Sequence, residues 1–110
     1  MRLRLTHATS LILRALVAGH RHGFQIMEVT GLPSGTVYPA LRRLEKAGHL
    51  ASTWEDEEAA HAEGRPRRRS YRLTPSGEEV ATRAGERLAE AGRLLAADPG
   101  LRPARGDGGT

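Results

Sequence analysis

"SGTVYPALRRLEKAGHL", residues 34–50, decides how the rest of this chain is read. Val37, Leu41 and Leu44 recur at i, i+4 and i+7 and therefore share one face of a helix. Gly35, Pro39, Arg42, Arg43 and Lys46 fall broadly opposite, and Thr36 and Tyr38 flank the stripe on its two sides. Ser34 is a good N-cap, and Gly48 suits the C′ position where helices stop. Pro39 forfeits one intrahelical hydrogen bond, to the carbonyl of Gly35, near the fraying end where that loss is best tolerated. Taken alone, the charged side fits an ordinary solvated helix face. The surrounding segments must say what it is for.

Upstream, "THATSLILRALVAGH" (6–20) places Ala8, Leu11, Ile12, Ala15 and Leu16 on one helical face, with Thr6 to cap it and Gly19 to end it. A second short helix, "FQIMEVT" (24–30), follows the "HRHG" turn and offers Phe24, Ile26, Met27 and Val29 for burial. "GLP" (31–33) then breaks the chain, because Gly31 can take a positive φ and Pro33 drives Leu32 out of helical space.

Downstream, "LASTWE" (50–55) and "RRSYRL" (68–73) read as strands, the second with Tyr71 and Leu73 on one face. "DEEAAHAEGRPR" (56–67) joins them as a long charged loop. A last helix starts with Thr74 as N-cap and Pro75 at its first position, and Val80, Ala84, Leu88, Ala91 and Leu95 form its apolar stripe. The order helix, helix, helix, hairpin, long helix describes a winged helix-turn-helix, mainly α with a small β-hairpin. Residues 1–73 would be the DNA-binding head, 74–97 a dimerisation helix, and 98–110, rich in Gly, Pro and charge, a disordered tail.

Size and composition bound the function. The chain has 110 residues, enough for one small domain with a thin core. It has no cysteine, which excludes disulfides and thiolate zinc sites and fits a reducing cytoplasm. No apolar run reaches the length of a membrane span or a signal-peptide core, so a soluble cytoplasmic protein with no membrane partner is expected. Residues 1–73 hold 12 Lys/Arg against 7 Asp/Glu, whereas residues 74–110 hold 5 against 6. A basic head beside a near-neutral helix suggests a polyanion partner for the head alone. Composition by itself also fits the arginine-rich output of a high-GC genome. His20 and His22 form an H-x-H pair, with His7, His49 and His61 scattered, and no acid or cysteine completes a metal site. There is no nucleophile elbow, phosphate loop or paired carboxylate. No enzyme, metal or cofactor is expected.

In a helix-turn-helix the second helix of the motif enters the major groove with its N-terminal residues nearest the base edges. Gly35 and Pro39 would let that backbone approach DNA closely. Ser34, Thr36 and Tyr38 would offer hydroxyls to phosphates, Arg42 would address guanine O6/N7, and Arg43 and Lys46 would meet backbone phosphate. The hairpin adds Gly64, Arg65, Arg67 and Arg68, with Arg69 behind them, along a phosphate ridge or in a minor groove. "EDEE" at 55–58 could pair with these arginines when DNA is absent. Trp54 reads two ways: a base-stacking residue or, more often so near Leu50, hairpin core.

These segments carry a family likeness. "HGF" (22–24), residues 34–50, "GRPRRRSYRLTPSG" (64–77) and the single trailing helix resemble the PadR family of bacterial transcriptional regulators, over roughly residues 8–97. Phe24 stands where that family often has tyrosine, and the connection between helices two and three is unusually short. The resemblance implies a winged-helix repressor that dimerises through its C-terminal helix with help from the first, where Leu11 would contribute. By position, Ser34, Gly35, Thr36, Tyr38, Pro39 and Arg42 would read DNA, and Gly64 to Arg68 would form the wing tip. It also implies a phenolic or planar small-molecule effector near the dimer interface. The C-terminal helix has no aromatic residue, so a stacking site would need Trp54, Tyr71 or Phe24.

The stripe from Val80 to Leu95 supports a homodimer independently. It extends past any core the head could provide, and a second copy is its simplest cover. Two-fold symmetry then matches a palindromic operator with half-sites about 34–36 Å apart. The alternative from another class is a winged-helix module whose basic face meets protein or RNA.

Overall fold

The computed structural model describes residues 4–97; the predicted disordered tail lies outside the described residues. Helices α1 (His7–Val17), α2 (Gly23–Thr30) and α3 (Ser34–Lys46) precede strand β1 (Leu50–Trp54). A short helix α4 (Glu57–Ala62), strand β2 (Arg69–Leu73) and the long helix α5 (Pro75–Ala97) complete the order. β1 and β2 pair antiparallel in the register Leu50↔Leu73, Ser52↔Tyr71, Trp54↔Arg69. His22 adds a single antiparallel bridge to Ser70, and the Tyr71 amide donates to the Arg21 carbonyl at 2.9 Å. The segment ahead of α2 is thereby sewn to the hairpin.

One aliphatic core holds these elements. Ile12 and Leu13 of α1, Ile26 of α2, and Val37, Leu41 and Leu44 of α3 are fully buried, and Leu50, Tyr71, Val80, Ala81 and Ala84 close over them. α1 lies mainly against α5. Thr6 caps α1 as expected, accepting from the Thr9 amide at 3.1 Å. α2 opens at His22, where the Gln25 side-chain oxygen accepts from the Arg21 and His22 amides at 3.1 and 3.3 Å. It closes on Gly31 in the left-handed conformation, φ 74°, a geometry that favours glycine. Only residues 31–33 separate α2 from α3. That tight break fixes the angle at which α3 is presented.

Several expectations need correction. Ser34 is not the N-cap of α3 but its first residue. The cap is Pro33, whose carbonyl accepts from the Thr36 and Val37 amides at 2.9 and 3.0 Å. The Ser34 hydroxyl is therefore not used up as a cap. Phe24 and Val29 are not core: they are 63% and 52% exposed, since the side chains α2 packs against the core are Ile26 and Met27. The charged connection between the strands is not a plain loop. Asp56 caps α4 by accepting from the Ala59 amide at 3.1 Å, Glu57 and Glu58 sit at its positive end, and Ala60 is buried.

The start of α5 is tied to the end of α3. The Thr74 hydroxyl donates to the Gly48 carbonyl at 2.7 Å and accepts from the Gly77 amide at 3.1 Å. A Cβ on Gly77 would fall 1.9 Å from the His49 carbonyl oxygen, so this close crossing needs glycine. Val80 and Ala84, expected at a dimer interface, are instead covered by this chain's own core. Further along α5, Leu88 and Ala91 are half-buried, and Leu94 and Leu95 are 73% and 59% exposed. The helix outruns its domain. No helix among the described residues is long and apolar enough to cross a membrane.

Candidate nucleic-acid interface

The apolar stripe of α3 seats it on the core, so its other side is turned outward by construction. Ser34, Gly35, Tyr38, Arg42, Arg43 and Lys46 are exposed there, and Thr36 and Pro39 are half-buried at its edges. Among the described residues Arg42, Arg43 and Lys46 have no carboxylate partner within ion-pair distance. The Tyr38 ring lies across α2 at Gly23, where a Cβ would come within 2.3 Å of it. Gly23 thus lets the ring lie down beside Arg42.

Glu45 behaves differently. It is half-buried and faces the hairpin, accepting from the Ser52 hydroxyl at 2.6 Å and from Arg69 Nη2 at 3.3 Å. Arg69 Nε also donates to the Ser52 oxygen at 3.0 Å. This triangle joins α3, β1 and β2 and sets the wing's angle to the helix. Sequence reasoning missed Glu45, because its partners lie on other elements and no local spacing announces them.

In the wing, one acid organises the arginines. Arg65 grips Glu55 through Nη1 and Nη2, both at 2.5 Å, and Arg68 donates its amide to the same carboxylate at 3.2 Å. The Arg65 hydrogen bonds hold the Glu55 carboxyl at about 2, well below its ordinary 4.5, against the opposing effect of desolvation. The Arg65 guanidinium is correspondingly raised above its usual range by Glu55. Arg65 also meets Glu63 at 3.1 Å and is half-buried, so it is a strut of the wing rather than an open cation. Of the four acids at 55–58, Glu55 alone pairs with arginine among the described residues. Gly64, Arg67 and Arg68 stand exposed at the tip. Arg67 has no carboxylate partner among the described residues and anchors its Nε on the Glu55 carbonyl at 3.0 Å.

Trp54 is not hairpin core. It is 56% exposed, with the Arg67 and Arg69 guanidinium carbons each 5.6 Å from its ring centre. Arg69 also reaches the Tyr71 ring at 5.9 Å. Burial raises the Tyr71 hydroxyl above its ordinary pKa. His22 Nδ1 lies 3.3 Å from the Arg69 carbonyl, so this histidine supports β2. Between α2, α3 and the wing these side chains enclose a cleft of about 370 Å³ that includes Phe24, Tyr38, Arg42, Trp54 and Arg67. The helix face, the wing tip and this cleft form one continuous cationic surface. Along α5 a separate open hollow of about 690 Å³ runs past Arg87, Glu90, Ala91 and Leu94.

Comparison with known proteins agrees with this geometry. Residues 12–83 match the model of the transcriptional regulator PadR-like family. A PadR family transcription regulator from a hypervirulent Clostridium difficile strain superposes with a TM-score of 0.67 at 22% identity, over 83% of this chain and 96% of that one, a likeness of fold alone. The PcaV transcriptional regulator of Streptomyces coelicolor, solved with its natural ligand, gives 0.67 at 29% identity, over 84% of this chain but 61% of its own. A transcriptional regulator from Clostridium thermocellum gives 0.62 at 26% identity, over 82% and 87%. No significant match was found among curated proteins.

Proposed function

Because the chain belongs to the PadR-like family of transcriptional regulators, and so is a DNA-binding regulator rather than an enzyme, we propose that it is a sequence-specific, homodimeric repressor of the cytoplasm. It acts on a palindromic double-stranded operator and is released by a small molecule or another signal. One observation carries the reading: three cations of α3 face outward without acidic partners among the described residues, while the one acid on their flank, Glu45, is turned into the hairpin.

α3 enters the major groove, Arg42 addresses a guanine edge, and Arg43, Lys46 and the Ser34, Thr36 and Tyr38 hydroxyls take phosphates. Exposed Gly35 and half-buried Pro39 keep side-chain bulk away from the helix's approach. Gly64, Arg67 and Arg68 follow the next phosphate ridge. Arg65 acts behind them by holding the wing's shape.

The exposed Leu94 and Leu95, with half-buried Leu88 and Ala91, make α5 the dimer contact, aided by Leu11 of α1. Exposed leucines on a helix that outruns its core favour a second copy as cover. The ligand-bound PcaV regulator supports the idea of an effector. Selection of bound duplexes from a random pool tests the proposal. It should enrich a palindrome whose half-sites are centred one turn apart, about 34–36 Å. A pool that stays random contradicts it.

A further inference from the structure

Glu45 is out of place on α3. A helix that meets a polyanion gains nothing from a carboxylate on its cationic side, and Glu45 stands at i+3 from Arg42, near enough on a helix for the two to pair. Among the described residues they do not pair. Arg69 of β2 takes the carboxylate instead, its Nη2 lying 3.3 and 3.4 Å from the two oxygens, and the Ser52 hydroxyl donates to it at 2.6 Å. Arg69 is held by edge and by face. Its Nε donates to the Ser52 oxygen at 3.0 Å, and its guanidinium lies over the rings of Trp54 and Tyr71. Among the described residues, the bonds to Glu45 are the hydrogen bonds that join α3 to the hairpin strands. Core packing secures the hairpin at its base, through Leu50, Tyr71 and Leu73. Toward the tip Thr53, Trp54, Arg67 and Arg68 are exposed, so the reach from α3 to the wing cations is set at the Glu45 clamp.

We propose that Glu45 is a positioning residue for DNA recognition. Through Arg69 and Ser52 it fixes the wing at the distance from α3 that lets Arg67 and Arg68 meet phosphate, while Arg42 is left for the groove. Glu45 itself touches no DNA. Its removal therefore weakens binding, although it takes a negative charge away from a cationic face. The proposal rests on the reading of α3 and the wing as the DNA surface.

The sign of the effect separates positioning from bulk electrostatics. The affinity of the full chain for a selected and a scrambled duplex is measured across a salt series, for wild type, Glu45→Ala and Arg69→Lys. Glu45→Ala makes the chain more positive, whereas Arg69→Lys conserves charge and loses the planar fork. Both variants should bind both duplexes about tenfold more weakly, and the slope of log K against log salt should fall by about 0.9 for each phosphate that Arg67 or Arg68 gives up. Glu45→Ala should keep the preference for the selected duplex. Misfolding would lower the competent fraction and leave the slope unchanged, and circular dichroism checks for it. Equal or tighter binding by Glu45→Ala, or weakening at the wild-type slope, overturns the proposal; so does wild-type behaviour of Arg69→Lys. Trp54 emission is a second arm that needs no DNA. Release of Arg69 should change it in Glu45→Ala, and unchanged emission shows that Glu45 does not hold Arg69, which also overturns the proposal. If wild type binds no duplex while the emission still shifts, the DNA reading is what fails: the clamp stands and its positioning role falls with that reading.

Discussion

Gly77→Ala probes the crossing that sets α5 against the head. The added Cβ would lie 1.9 Å from the His49 carbonyl oxygen and 2.9 Å from its carbon, so α5 must retreat by roughly 1.1 Å even to reach the 3.0 Å limit of real contacts. The obstacle is backbone, not a side chain that can swing away. Retreat strains the Thr74 and Ser76 bonds to the Gly48 carbonyl and lifts Val80 and Ala81 from the core. Overpacking of this kind costs about 1–3 kcal/mol, and a weakened cap adds about 1 kcal/mol. Alanine returns up to about 1 kcal/mol in helix propensity. The net expectation is a loss of about 1–3 kcal/mol in urea unfolding. Gly92→Ala is the matched control: the same helix, with nothing within 4 Å of its Cβ, so propensity alone should raise stability by up to about 1 kcal/mol. If the two variants shift stability alike, the close crossing is not what holds α5.

Other expectations are simpler to state. Leu94→Glu, at a 73% exposed position, should yield monomers in light scattering that keep the wild-type helical circular dichroism; a surviving dimer places the contact elsewhere. Glu55 has its carboxyl depressed from 4.5 to about 2, so its support of the wing is complete above 4.5 and is lost as pH falls toward 2. Trp54 emission should report that loss, and Glu55→Gln should abolish the acid transition; an unchanged titration would show that the Arg65 pairing does not order the wing. Arg43→Gln should reduce the slope of log K against log salt by about 0.9 per lost phosphate contact, or about 1.8 for a dimer, with equal weakening on all sequences.

The apolar underside of α3 was legible because Val37, Leu41 and Leu44 repeat at helical spacing, and burial follows directly from that periodicity. The same logic misled for α5. A stripe says that something covers Val80 and Ala84, but not whether the cover is α1 of the same chain or another copy. α4 was readable in hindsight from "DEEAA": an Asp cap, two acids at the positive end and two alanines. The Gly and Pro that follow carry a competing loop signal. Residue type does not say which way Trp54 and Phe24 face, and only the three-dimensional arrangement of the wing turns them to a cleft. Glu45 and the Arg65 strut were invisible for a common reason. Their partners are set by the pairing of elements, which local spacing does not encode.

The decisive property is that the outward face of α3 reads base sequence. The direct measurement is the ratio of affinities for a selected duplex and a scrambled one at fixed salt, for the wild-type chain and for Arg42→Ala. Wild type should prefer the selected duplex, and Arg42→Ala should forfeit about 1–3 kcal/mol of that preference at a single base position. A wild-type ratio of one, or a preference that Arg42→Ala leaves intact, contradicts it.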